Sequence, residues 1–204
     1  GKLTPLRLPT KTSKLDPPVV AIRVEDGRRE EDTRKVINKP EADAIVNHII
    51  EICENPKYKN KTIGVISLQG YDQAKLIEEK LTIRLGPTEM KKRKIICGDA
   101  YAFQGDERDV IFLSMVTASN MKSRALTKRS EMQRFNVAAS RAKDQMILYH
   151  SIDLDELNPN CMRAKLLRYC MNPSRVIKKV DEVKDLFDSK FEEDVYKLIT
   201  ARGY

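Results

Sequence analysis

Seven consecutive residues, Val110-Ile111-Phe112-Leu113-Ser114-Met115-Val116, make a nearly continuous apolar run broken only by one serine. A strand with one wet face would alternate apolar and polar residues, so this run is expected to be a strand covered on both faces, as in a parallel sheet flanked by helices. Just upstream lies the polar stretch Gly98-Asp99-Ala100-Tyr101-Ala102-Phe103-Gln104-Gly105-Asp106-Glu107. Gly105 allows backbone and ligand to approach closely. Gln104 and Glu107 offer an amide and a carboxylate, groups able to hold a nucleotide's hydroxyls and amines. A plain connecting loop with solvated charges would look the same.

A second stretch, Arg134-Phe135-Asn136-Val137-Ala138-Ala139-Ser140-Arg141-Ala142-Lys143, precedes the apolar run Met146 to Tyr149. As a helix it places Phe135, Ala138, Ala139 and Ala142 on one face, small enough to pack closely on a sheet. Arg134 and Arg141 then share a side, two turns apart. Two guanidiniums aimed the same way suit phosphate oxygens, which arginine grips with a planar fork. A solvated basic helix face has the same spacing.

Elsewhere the chain alternates between the two periodicities. Strands are expected near 19–24, 62–67, 94–98, 110–116 and 145–149. Asn38-Lys39-Pro40-Glu41 opens a helix, with proline in the first turn and an acid at its positive end. Its expected buried stripe is Ala42, Ile45, Val46, Ile49, Ile50 and Cys53. Ala74, Ile77, Leu81 and Leu85 mark a second helix, closed at Gly86-Pro87. The run Lys91-Lys92-Arg93-Lys94 is either a solvated lead-in to a strand or a contact for a phosphate backbone. Residues 117–130 are polar and aperiodic, with Lys122, Arg124, Lys128 and Arg129, and are expected to be a mobile basic loop. Short helices at 152–157 and 162–171 should pack on the outside. The alternation argues for an α/β fold with a mostly parallel sheet and right-handed crossovers.

The 204 residues suffice for one ordinary α/β domain and some extra, not for a two-domain motor. A net charge of +8 favours a polyanionic partner. The four cysteines, Cys53, Cys97, Cys161 and Cys170, have no paired C-x-x-C spacing, which suits reduced thiols in a cytoplasmic protein and no metal site. There is no signal peptide or membrane-spanning run. The prolines of residues 1–18 suggest an extended lead-in to a domain over 19–172. Residues 173–188 then form a charged linker, and Ser189-Lys190-Phe191-Glu192 is a capping box opening a last helix over 189–204.

Together the two central stretches resemble motifs V and VI of superfamily 1 helicases, in the branch of the nonsense-decay, Dna-two and senataxin-like enzymes. Phe103, Gln104, Gly105, Glu107, Asp109 and Ser114 fall in register with motif V. Arg134, Asn136, Val137, Ala138, Ser140, Arg141 and Ala142 match motif VI. The likeness covers roughly Pro40 to Tyr149. Ser67, at a strand end, and Gln73, in the next helix, look like the polar residues of motif IV, with helix capping and polar surface as their other reading. Lys2-Leu3-Thr4-Pro5-Leu6 is similar to a segment preceding this domain. Residues 189–204 look like the first helix of a restriction-endonuclease-like domain that some bacterial helicases carry, though an ordinary terminal helix would look alike.

The resemblance implies the second RecA-like domain (2A), of P-loop NTPase fold. Arg141 would be the arginine finger. Gln104, Gly105, Glu107 and Arg134 would meet the nucleotide, with Glu107 on the ribose. Ser67, Gln73, Lys122 and Arg124 would meet a single-stranded nucleic acid, DNA favoured over RNA. ATP and Mg2+ would be held mainly by the first RecA-like domain. No G-x-x-x-x-G-K-[S/T] occurs here, so half an ATP site and no hydrolysis by the isolated chain are expected. One departure is Asp99, where the family has Thr or Ser: a hydroxyl can donate to a phosphate, whereas a carboxylate repels it. A non-catalytic nucleic-acid-binding module is the alternative. A dinucleotide-binding enzyme is disfavoured, because no G-x-G-x-x-G follows the first strand.

Overall fold

The computed structural model describes residues 15–30 and 35–173. The expectations for 1–14, 31–34 and 174–204, including the linker and the endonuclease-like helix, lie outside the described residues. Five strands run in the chain order β1 Val19–Arg23, β2 Ile63–Ser67, β3 Ile96–Asp99, β4 Arg108–Ala118 and β5 Ala142–Ser151. The helices are α1 Lys39–Glu54, α2 Asp72–Arg84, α3 Pro87–Lys92, α4 Arg129–Ala139 and α5 Met162–Met171. The strands form one sheet in the order β1-β5-β4-β2-β3, every neighbouring pair parallel. This is the α/β, RecA-like arrangement the sequence implies.

Every residue of β4 is buried, as a strand covered on both faces must be. Against one face pack α1 and α2, with Ala42, Ile45, Val46, Ile49, Ala74, Ile77 and Leu81 meeting Val65, Val110 and Phe112. Against the other pack the turn holding Phe103, then α4 and α5, with Phe135, Ala138, Ala164 and Leu167 meeting Ile111, Leu113 and Leu148.

The register corrects several local expectations. The stripe of α1 includes Ile52 rather than Ile50 and Cys53, which are only partly buried. Helix α5 is not an outer layer, since Ala164, Leu166, Leu167 and Cys170 enter the core. Residues 152–157 form turns rather than a helix. The cationic run at 91–94 spans the end of α3. Arg93 there is buried, donating to Cys53 O at 2.8 Å, to Glu89 Oε1 at 3.0 Å and to Tyr58 O.

The most consequential correction is the end of α4. The sequence runs on in good helix formers, yet the helix stops at Ala139, with Ser140 as its cap, and Ala142 already pairs with Arg108 in the sheet. The two arginines of this stretch are therefore not on one helix: Arg134 lies within α4, and Arg141 lies beyond it at the entry to β5.

Candidate functional site

The turn after β3 carries the chain from the carboxyl end of the sheet back to its amino end, where β4 begins. Asp99 Oδ1 accepts from Tyr101 N and Ala102 N, both at 3.0 Å, so the carboxylate standing in place of a hydroxyl caps the turn. Phe103 is fully buried beside β2. It can sit there because position 64 is glycine: a Cβ on Gly64 would lie 2.7 Å from the Phe103 ring and 2.6 Å from Ile111. Gly105 has φ +84, a left-handed conformation that side chains other than glycine rarely adopt. Anchored Phe103 and left-handed Gly105 together leave Gln104 exposed between them.

Glu107 is half-buried at the start of β4. Its neighbour Asp106 is taken by Arg108, whose hydrogen bond holds the Asp106 carboxyl below its ordinary range. The Glu107 carboxylate has Lys143 Nζ at 3.9 Å. The amide of Arg108 donates to Arg141 O at 3.1 Å, which brings Glu107 and Arg141 to adjacent strand entrances. The Arg141 guanidinium rests on neutral acceptors: Nε on Val137 O at 3.2 Å, Nη2 on Ser140 Oγ at 2.9 Å. Among the described residues no carboxylate pairs with it. Gln104, Gly105, Glu107 and Arg141 thus gather along the amino edge of the sheet, with polar atoms open to a ligand.

Arg134 belongs elsewhere. It is half-buried, 6.0 Å from the centroid of the Phe135 ring, and its Nε is buried without a hydrogen-bond partner. Its charge acts on Arg163 of α5.

The carboxyl edge is built differently. Ser67 is buried and its Oγ accepts from Gln69 N at 3.3 Å. Gln73 is 0% exposed, and both ends of its amide are used. Oε1 accepts from Asn38 N at 2.9 Å, while Nε2 donates to Asn38 O at 3.0 Å and to Ser114 Oγ at 3.2 Å. Gln73 in this arrangement offers no polar atom to a solvent-borne strand, and the polar-surface reading of it is corrected.

The centre of this network is Glu41, the acid in the first turn of α1, whose carboxylate does more than face its own helix end. It crosses to the strands, where Oε1 accepts from Ser114 Oγ at 2.6 Å and Val116 N at 2.8 Å, and Oε2 from Ser151 Oγ at 2.9 Å. Burial pushes its carboxyl up from 4.5 to about 7, against the pull of those hydrogen bonds. Val116 has φ 66, an outlier for a β-branched residue, at the register shift between Ser114 and Ala118. Glu41 holds its N–H, and Asn38 Nδ2 donates to its carbonyl at 3.3 Å. Lys122 and Arg124 are exposed on the segment following β4, and Arg124 is paired with Glu131.

Sequence reasoning missed Glu41 and Arg163 as site-forming residues. Glu41 is one residue of an ordinary helix start, and its strand partners lie 73–110 residues away. Arg163 is a lone arginine in an amphipathic helix.

No helix among the described residues is long and apolar enough to cross a membrane. No curated protein gives a match. A family model described as an AAA domain, a domain found in superfamily 1 helicases, matches residues 3–152. With its parallel sheet and its strand-entrance cluster inside that match, the chain belongs to the AAA domain family, of helicase-type nucleotide-binding fold.

Proposed function

We propose that the chain is the second motor domain of an ATP-dependent nucleic-acid helicase of superfamily 1, in the nonsense-decay, Dna-two and senataxin-like branch. The observation that carries this reading is Arg141: a half-buried guanidinium at a strand entrance, resting on neutral acceptors, with no carboxylate paired to it among the described residues. A cation held this way keeps its charge for an incoming anion, and its donors fit phosphate oxygens. ATP with Mg2+, bound mainly by the first RecA-like domain, would supply the phosphoryl group. Arg141 stabilises charge on that group across the domain interface, Glu107 accepts from the ribose, and Gln104 and Gly105 link the nucleotide to the nucleic acid. Arg134 is left out of this core set, because it lies within α4 while Arg141 lies beyond the helix at the entry to β5.

The exposed Lys122 and Arg124 meet a single strand, DNA favoured over RNA, and Ser67, buried at the end of β2, meets it only if the strand displaces the Gln69 amide from its hydroxyl. The protein works in the cytoplasm. The chain alone hydrolyses no ATP, because no phosphate-cradling loop is present.

The test is turnover of ATP with and without single-stranded DNA, first for the chain alone and then for a protein in which a first RecA-like domain of the same family is joined to it. Strand-stimulated turnover appearing only in the joined protein supports the reading. Turnover by the contaminant-free chain, or a joined protein that hydrolyses equally well without this domain, refutes it and favours the binding-module reading.

A further inference from the structure

A cavity of about 210 Å³ opens between the segment after β4 and the segment leading into α5. Lys122, Ser123, Arg124, Glu156, Cys161 and Arg163 are among its lining residues. Arg163 is only 2% exposed. Its Nη1 donates to Arg124 O at 3.0 Å and its Nη2 to Gln69 Oε1 at 2.8 Å, both neutral acceptors. Its Nε is buried with no hydrogen-bond partner, and so is Ser123 Oγ. The Arg163 side chain is hydrogen-bonded with the Cys161 thiol, and two further guanidiniums, Arg134 and Arg29, act on it as charges. Arg134 Nε and Arg29 Nε are themselves buried without partners. Glu156 on the cavity wall is engaged, its Oε2 accepting from Ser119 Oγ at 2.7 Å and Asp153 N at 2.9 Å. Helix α5 also starts here, and its N-cap Cys161 supplies no side-chain cap.

A buried cation is costly unless paired, and buried polar groups without partners are uncommon in folded proteins. On the wall of this cavity the Arg163 guanidinium and the Ser123 hydroxyl each keep a buried polar atom without a partner, and no carboxylate pairs with Arg163 among the described residues, which makes a site with surplus positive charge and surplus donors. Planar guanidinium forks suit tetrahedral oxyanions, and the carboxyl end of a parallel sheet is a common place for ligands in this class of fold. We propose that this cavity is a phosphate site, anchored by Arg163 and completed by Ser123 and Lys122, that takes either a phosphodiester of the single strand or a free phosphate ion. The first source rests on the reading in the preceding subsection; the second does not.

The test compares wild type with Arg163→Gln and Ser123→Glu. Ser123→Glu places a carboxylate at the cavity and lies on an irregular segment, so it keeps the test decisive if Arg163→Gln fails to fold. Two quantities are read: the melting temperature in sodium phosphate against sodium chloride of equal ionic strength, and the salt slope of binding to a labelled oligothymidylate by anisotropy. Phosphate is expected to raise the wild-type melting temperature by roughly 2–4 °C. Ser123→Glu should melt higher than wild type without phosphate and lose the phosphate response. For a strand phosphodiester, the slope of log affinity against log salt also falls by about 0.7, the share of one contact on a single strand. A lost phosphate response with an unchanged slope identifies free phosphate as the ligand. A phosphate response in a wild type that binds no strand keeps the site and overturns the strand reading. No phosphate response in wild type with an unchanged slope, or a response that survives both substitutions, overturns the site.

Discussion

Two glutamines in this chain, Gln73 and Gln104, look equally polar in sequence and end in opposite situations. Gln73 is sealed at the carboxyl edge of the sheet, with both ends of its amide spent on Asn38 and Ser114. Gln104 stands exposed near the amino edge, lifted there by the buried Phe103 before it and the left-handed Gly105 after it. The same contrast separates the two neighbourhoods as a whole. Around Glu41 the polar groups satisfy one another and exclude water. Around Arg141 the polar groups are half-open, and the guanidinium itself is held by neutral partners. Polar atoms that are already satisfied hold the fold together, and those left open are the ones a ligand can use. Substitutions at the two edges should therefore fail in different ways.

The largest expected effect is at the open edge. In a protein carrying both motor domains, Arg141→Ala should lower strand-stimulated ATP turnover by about 10³-fold or more, while the melting temperature moves little. Arg141→Lys should rescue poorly, since an ammonium lacks the planar fork. Turnover near wild type in Arg141→Ala would show that the amino-edge cluster is not catalytic.

Next comes Glu41→Ala, at the sealed edge. It orphans the Val116 amide and the Ser114 and Ser151 hydroxyls and leaves a void, so it should cost about 3–5 kcal/mol by urea unfolding. Glu41→Gln keeps an acceptor for Val116 and should cost well under half of that. Equal losses in the two variants would mean that volume, not the hydrogen bonds, matters at this position.

Glu41 also sets a pH dependence. Its carboxyl titrates at 4.5 when unfolded and at about 7 when folded, so between those values the native state holds the additional proton. The contribution to stability is therefore complete below 4.5, declines as pH rises through 7, and is level above, by about 3 kcal/mol in all. Urea midpoints from pH 5 to 8 should slope downward more steeply in wild type than in Glu41→Gln. Parallel slopes would place the titrating group elsewhere.

The smallest effect makes the sharpest comparison. Gln73→Ala should destabilise the chain by about 1–3 kcal/mol, because it strands buried groups of Asn38 and Ser114. Gln104→Ala, exposed, should stay within about 0.5 kcal/mol. Thermal melts of the two variants side by side decide it, and similar losses would erase the distinction between the edges.

Much of this architecture was legible in the residues. The nearly continuous apolar run at 110–116 reads as a strand covered on both faces, and it is buried throughout. Gly105 and the apolar Phe103 marked the turn, and Asn38-Lys39-Pro40 marked the start of α1, where Asn38 Oδ1 accepts from Glu41 N at 3.1 Å. These features are local: each depends on hydropathy or backbone preference within a few residues, which a sequence displays directly.

Tertiary structure alone decided the rest. Nothing in Ala138-Ala139-Ser140-Arg141-Ala142 forbids a helix, and no proline or glycine stops it. The helix ends because Ala142 gains a place beside Arg108 in the sheet, and that pairing moves Arg141 off the helix to a strand entrance. Glu41 could be read only as a helix-start acid, because the groups that capture it come from β4 and β5, far along the chain. Arg163 gave no sign of itself, since its partners Gln69 and Arg124 meet it only when α5 packs beside the sheet. Secondary structure follows from short-range preference, but which polar groups are satisfied and which stay open depends on pairings between distant segments, and those exist only in the folded chain.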